Sequence, residues 1–238
     1  MQNLSRNPRN VLKKLLSKYK YELYEVLANM PYSEYGVLES LVLYSYVREE
    51  KPKVVVEVGT ERFSRSTHLI QKALLKNGDF THYMVDLPDV IDDARKNLFD
   101  TTNTMYVAGN FQDVYKAIPW DKVDFLFIDA DHTKDFGDWY IKTIIPLLVK
   151  GTLVHIHDIN LSGDWKLRED KTNEVTAISD AHKNETLGLE KVVWLEDYSI
   201  NPEYEDKWEE LREMFPMIGR FPALRLPFGS SASYWRKL

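Results

Sequence analysis

Five short apolar runs recur along the first two thirds of the chain, and each closes in a turn or polar side chain: KVVVEVG at 53–59, HYMVDLP at 82–88, TMYVAGN at 104–110, VDFLFID at 123–129 and TLVHIHD at 152–158. Continuous runs rich in Val, Ile and Phe are what strands covered on both faces of a parallel sheet look like. Between them lie SRSTHLIQKALLKN, DVIDDARKNLFD, DVYKAIP and DWYIKTIIPLLVKG, whose apolar residues fall at helical spacing. Strand and helix alternating over short connections predict a doubly wound α/β sheet with right-handed crossovers. Ahead of it, residues 10–30 and 33–50 read as two helices, the first with Val11, Leu12, Leu15, Leu16, Tyr19, Leu23 and Leu27 in register. Gly78 is placed to end the helix after the first strand.

After Asn160 the rhythm breaks. A polar stretch, LSGDWKLREDKTN, precedes a helix expected from Glu174 to about Lys183 and a strand in EKVVWLED, and ASYWRKL at the end supplies a last strand. The expected whole is a mostly parallel seven-stranded sheet with helices on both faces. Residues 1–50 form an N-terminal helical cap and 51–238 the main domain, with 198–230 as a variable insertion. That insertion either helps to form a substrate pocket above the sheet or packs on the surface.

A chain of 238 residues is long enough to bury a large core in one such domain. A formal net charge of -6 argues against a nucleic-acid partner held by phosphate neutralisation and favours a small molecule. The absence of cysteine removes thiolate nucleophiles, disulfides and thiolate metal sites, leaving oxygen and imidazole as metal ligands. The basic start, MQNLSRNPRNVLKKLLSKYK, lacks the apolar core and cleavage site of a secretory signal, and no run reaches membrane-spanning length. These readings imply a cytoplasmic protein without stable membrane association.

Ligands of open α/β sheets sit outside the carboxyl ends of the strands, so the residues that close each run are the candidate site. Gly59, in the turn after the first strand, can bring backbone close to a ligand, and Ser64, Ser66 and Thr67 can cap the next helix or donate hydrogen bonds. A single glycine there disfavours the pyrophosphate cradle of a dinucleotide fold. Asp86 closes the second strand, where its carboxylate can take both hydroxyls of a ribose or cap a helix. Phe111 and Gln112 follow the third strand; the ring either lies on an adenine or belongs to the core. The two richest ends are the fourth, with Asp129, Asp131 and His132, and the fifth, with His157 and Asp158. His155 alternates with His157 and should share its face.

Taken in order, the EVGT turn, Asp86, GNFQDV, FIDADH and the closing HD resemble a class I S-adenosylmethionine-dependent methyltransferase with a Rossmann-like sheet. The nearest likeness is to O-methyltransferases of the catechol and caffeoyl-CoA type and to the family that includes macrocin O-methyltransferase and cephalosporin hydroxylase. It covers about residues 35–160, with an echo in the terminal ASYWRKL. The resemblance implies that Glu57, Gly59 and Thr60 touch the methionine part of the cofactor, that Asp86 binds its ribose, and that Phe111 and Gln112 flank adenine. It further implies cofactor contact and metal ligation by Asp129, with His157 and Asp158 completing a divalent-ion site for Mg, Mn or a similar ion. His132 falls where the family carries a general base, although a ligand or helix-capping role stays open. The first turn departs from the family's G-x-G in reading GTERFSRST.

The function implied is S-adenosylmethionine-dependent O-methylation of a hydroxyl on a small molecule, a sugar or natural-product intermediate, with a divalent ion assisting. Alternatives are a cofactor-binding protein of the same fold without methyl transfer, and a non-methylating enzyme that uses the same nucleoside pocket. Aromatic residues of the last third, among them Trp194, Tyr198, Trp208 and Phe215, could line an acceptor pocket or a homo-oligomer contact.

Overall fold

A computed structural model of the protein describes residues 8–28, 37–60, 65–97, 102–157, 159, 174–194 and 233–238. Two helices, α1 (Pro8–Ala28) and α2 (Val37–Glu50), lead into β1 (Val54–Val58), α3 (Arg65–Asn77), β2 (Thr81–Asp86), α4 (Pro88–Asn97) and β3 (Thr104–Ala108). Then come α5 (Phe111–Val114), β4 (Phe125–Ile128), α6 (Lys134–Thr143), β5 (Leu153–Ile156), α7 (Glu174–Lys183), β6 (Leu189–Trp194) and β7 (Ser233–Lys237). The strands form one sheet in the order β3-β2-β1-β4-β5-β7-β6. The first five are parallel, while β7 inserts antiparallel between β5 and β6. This is the Rossmann-like, mostly parallel arrangement expected, with an antiparallel hairpin at one edge.

Alternation along the strands sorts two cores. Val55, Phe125, Phe127, Leu153 and Tyr234 face α1, α2 and α3 and share a cluster with Leu16, Leu23, Leu41, Tyr44 and Leu69. Val56, Val58, Leu126, Ile128, Val154 and Ile156 face the other way, against Tyr140, Ile144, Val175 and Ile178 of α6 and α7 and the turn between α6 and β5. The helices at 8–50 are therefore one of the two layers that cover the sheet. Between α1 and α2 a polar clasp supplements the packing: Arg48 donates to both oxygens of Glu22, at 2.7 and 3.0 Å, and Tyr44 donates to Oε2 at 2.7 Å.

Helix α6 begins four residues earlier than DWYIKT suggests, because Thr133 caps it by accepting from the Phe136 N–H at 3.2 Å. It also ends earlier, passing into a tight turn at Ile145–Leu147 that contains Pro146. A closer helix pair sits just beyond. At Gly137 an added Cβ would lie 2.8 Å from the Ala177 Cβ, so the missing side chain is what allows α6 and α7 to touch. The expected insertion at 198–230 lies outside the described residues.

Candidate active site

One row of backbone hydrogen bonds ties together the carboxyl ends of five parallel strands. Gly109 N–H donates to Asp86 O, Gly59 N–H to Val85 O, Asp129 N–H to Val58 O and His157 N–H to Ile128 O, at 2.8 to 3.0 Å. Asp86, Gly59, Asp129 and His157 therefore stand along a single edge of the sheet, as the strand ends in the sequence suggest. Asp158 lies outside the described residues, as do Glu61, Phe63 and Ser64.

At the β1 turn, Gly59 has φ +82 and lies against the β4 turn. A Cβ there would come within 1.6 Å of the Asp129 carbonyl oxygen, so only glycine permits this approach. Thr60 follows, buried, with its N–H donating to Asp86 Oδ2 at 2.7 Å and its hydroxyl to the same oxygen at 3.3 Å. The other carboxylate oxygen accepts the Leu87 N–H at 2.6 Å. Asp86 is thus oriented by two turns at once.

Glu57 is placed behind this turn rather than on the open edge. Its carboxylate is fully buried, accepting from Ser66 Oγ at 3.0 Å and Thr67 Oγ1 at 2.8 Å, and Oε2 stands 3.0 Å from His82 Nε2. The two hydroxyls therefore fix α3 to β1. Beyond β3, Asn110 caps α5 by accepting the Gln112 N–H at 2.9 Å. Phe111 is buried, edge-to-face with Trp139 at 5.3 Å between centroids, while Gln112 is exposed.

The densest chemistry lies over β4 and β5. Asp129 Oδ1 is 3.2 Å from His157 Nδ1 and 3.7 Å from His132 Nε2. On one side, His157 Nε2 reaches Glu39 Oε2 of α2 at 3.4 Å; on the other, His132 Nδ1 pairs with Glu174 Oε2 of α7 at 3.1 Å. The result is an alternating chain, Glu39, His157, Asp129, His132, Glu174, that crosses the strand ends from the α2 layer to the α7 layer. Glu39, His157 and Glu174 are buried, and His132 and Asp129 are the half-open members. Burial disfavours charge on His157, but the contacts with Asp129 and Glu39 outweigh it and hold its pKa well above the usual imidazole value. His155, one strand position pair away, is buried between the Phe127 and Tyr234 rings. Its pKa is pushed well below the ordinary value by burial and by the charge of His157.

Among the described residues no group of three or more His, Asp or Glu side chains is arranged to hold a metal ion. Asp129 and His157 are adjacent, as a shared ligand set requires, but each faces the other as a charged pair. Two residues of the chain, Glu39 and Glu174, carry no motif. The signal available for Glu39 was a lone carboxylate in the apolar run VLESLVLYSYV; for Glu174 there was none beyond its place at a helix start.

Residues 56–159 match the protein family described as "Methyltransferase domain". Among solved structures, the fold is similar to a cofactor-bound protein from MTB, with a TM-score of 0.56 and 18% identity over 80% of this chain and 84% of that one. It is similar to the O-methyltransferase from Bacillus cereus in complex with SAH, with a TM-score of 0.55 and 18% identity over 75% and 82%. It is also similar to a SAM-bound O-methyltransferase of tomaymycin synthesis from Streptomyces achromogenes, with a TM-score of 0.52 and 17% identity over 71% and 76%. No curated protein matches the sequence. No helix among the described residues is long and apolar enough to cross a membrane.

Proposed function

We propose S-adenosylmethionine-dependent O-methylation of a hydroxyl on a small molecule, a reading supported by the match of residues 56–159 to the methyltransferase-domain family. The observation that carries this reading is a contact. The Gly59 turn lies directly against the Asp129 backbone, so a cofactor seated on that turn and on Asp86 would have its reacting end beside Asp129 and His132. S-adenosylmethionine supplies a methyl group on a sulfonium, which the acceptor oxygen takes in line as the carbon–sulfur bond breaks and its electron pair stays on sulfur.

The chain's own residues would do the rest. Asp86, oriented by the Thr60 and Leu87 N–H groups, accepts the ribose hydroxyls. Gly59 and Thr60 offer backbone at close range to the methionine part, with Glu57 holding the turn from behind. Gln112, exposed after β3, is available to the adenine edge, and Phe111 supports that loop from the core. His132 accepts the acceptor's proton on Nε2, as a neutral imidazole can. The carboxylate of Asp129, 3.7 Å away, stabilises the imidazolium that forms. Asp129 is itself held by His157. His157, both of whose ring nitrogens face the carboxylates of Asp129 and Glu39, would have to give up its proton to join Asp129 and Asp158 in holding a divalent ion.

The test is transfer of a labelled methyl group from S-adenosylmethionine to a panel of sugars, phenols and other hydroxylated small molecules, with S-adenosylhomocysteine as co-product. Transfer by the wild type, lowered about 10²-fold or more in His132→Ala, is the expected result. No transfer to any acceptor despite tight cofactor binding would leave a cofactor-binding protein without turnover as the correct reading.

A further inference from the structure

We propose that Glu174 is the positioning residue of the general base: it holds the proton of His132 on Nδ1 and so presents Nε2 as the acceptor. This inference rests on the methyl-transfer reading above and adds a residue that lies beyond the methyltransferase domain at 56–159. Glu174 grips residue 132 at two points. Its N–H donates to the His132 carbonyl at 2.8 Å, and its carboxylate Oε2 lies 3.1 Å from Nδ1 of the same residue. A side chain pinned through both its backbone and its ring has little freedom to choose another orientation.

The chemistry of imidazole gives this grip a consequence. A neutral ring carries one proton; both ring nitrogens face a carboxylate, but only Nδ1, 3.1 Å from Glu174, is within hydrogen-bond distance of one, Nε2 standing 3.7 Å from Asp129, so Nδ1 is the nitrogen that keeps it. The nitrogen left with a lone pair is then Nε2, which points toward Asp129 on the ligand edge. Burial raises the pKa of Glu174, while hydrogen bonding to His132 and Tyr140 acts in the opposite direction. The net result is a pKa above the ordinary carboxylate value, the two partners offsetting only part of the cost of burial. The Tyr140 hydroxyl beside it stays neutral, its pKa pushed well up by burial and by the Glu174 charge.

The scaffold is built for this contact. Glu174 opens α7, and α7 can reach the β4 loop because Gly137 of α6 has no side chain: an added Cβ would lie 2.8 Å from Ala177 and 3.4 Å from the Glu174 Cγ. The strand end provides the histidine, and an element that follows the domain sets which of its nitrogens reacts.

The experiment uses the full chain labelled with ¹⁵N-histidine, with His132→Ala to identify the resonances. Long-range ¹H–¹⁵N spectra are recorded once the His132 ring is neutral. The wild type is expected to show a protonated Nδ1 and a bare Nε2. Glu174→Ala should shift the ring toward the Nε2–H form and lower kcat about 10²-fold with little change in KM for S-adenosylmethionine. Glu174→Gln, whose amide oxygen can still accept from Nδ1, should keep the wild-type tautomer and most of kcat. A wild-type ring protonated on Nε2, or a Glu174→Ala protein with unchanged tautomer and kcat, overturns the proposal. Should Glu174→Ala fail to fold, the wild-type tautomer alone decides. A wild type that transfers no methyl group refutes the methyltransferase reading instead, and the ring spectrum is read independently of it.

Discussion

His157 Nδ1 stands 3.2 Å from Asp129 Oδ1, and the same ring reaches Glu39 through its other nitrogen at 3.4 Å. A histidine that closes β5 is thereby the counter-charge for two carboxylates, one at the carboxyl edge of the sheet and one on a helix that precedes it. The pairing holds the Asp129 carboxylate in place beside His132.

Removing that counter-charge is expected to be costly. His157→Ala would take the shared counter-charge from the buried Glu39 and the partly buried Asp129, at a cost of about 3 kcal/mol or more in stability. Urea unfolding checks it. Replacing Glu39 with Gln in the same background should recover part of the loss, because one of the two uncompensated charges is gone.

The Gly59 turn makes a second demand. Gly59→Ala places a Cβ within 1.6 Å of the Asp129 carbonyl at a φ of +82, so the β1 and β4 turns must separate. We expect a stability loss of about 2 kcal/mol and at least tenfold weaker binding of S-adenosylhomocysteine. Melting curves and calorimetry read the two effects separately.

The α1–α2 clasp predicts a pH dependence. The hydrogen bonds from Arg48, opposed by burial and aided by Tyr44, hold the pKa of Glu22 below its usual value. A depressed carboxylate pKa adds stability that is present above the unfolded value of about 4.3 and is lost as pH falls through the folded one. Wild type should therefore exceed Glu22→Gln in stability by about 1 kcal/mol at neutral pH, and the gap should close below about pH 4. A gap independent of pH would show that the carboxylate charge is not what Arg48 reads.

Much of this was legible in the residue pattern, for physical reasons. Buried parallel strands announce themselves as apolar runs, so β1 to β5 and the closing strands fall within a residue or two of where KVVVEVG, VDFLFID and ASYWRKL put them. Side-chain alternation also placed His155 and His157 on one face, where their rings lie 6.2 Å apart. Partners distant in sequence were not legible. Glu39 meets His157 across 118 positions and Glu174 meets His132 across 42, and neither separation leaves a spacing to read. Glu57 shows the opposite limit. Its place beside the turn was evident, but only coordinates reveal that Ser66 and Thr67 draw its carboxylate inward. Asp158 and the segment at 198–230 lie outside the described residues.

The central claim, that this sheet edge seats a sulfur-bearing nucleoside beside Asp129 and His132, is tested most directly by titrating S-adenosylhomocysteine into the protein and into Asp86→Asn by calorimetry. The substitution retains one acceptor oxygen but removes the charge that the Thr60 and Leu87 N–H groups orient. The account predicts one site in the wild type and affinity lower by about 1.5 to 3 kcal/mol in the variant, roughly 10- to 100-fold. No binding heat in the wild type, or equal affinity in both proteins, would contradict it.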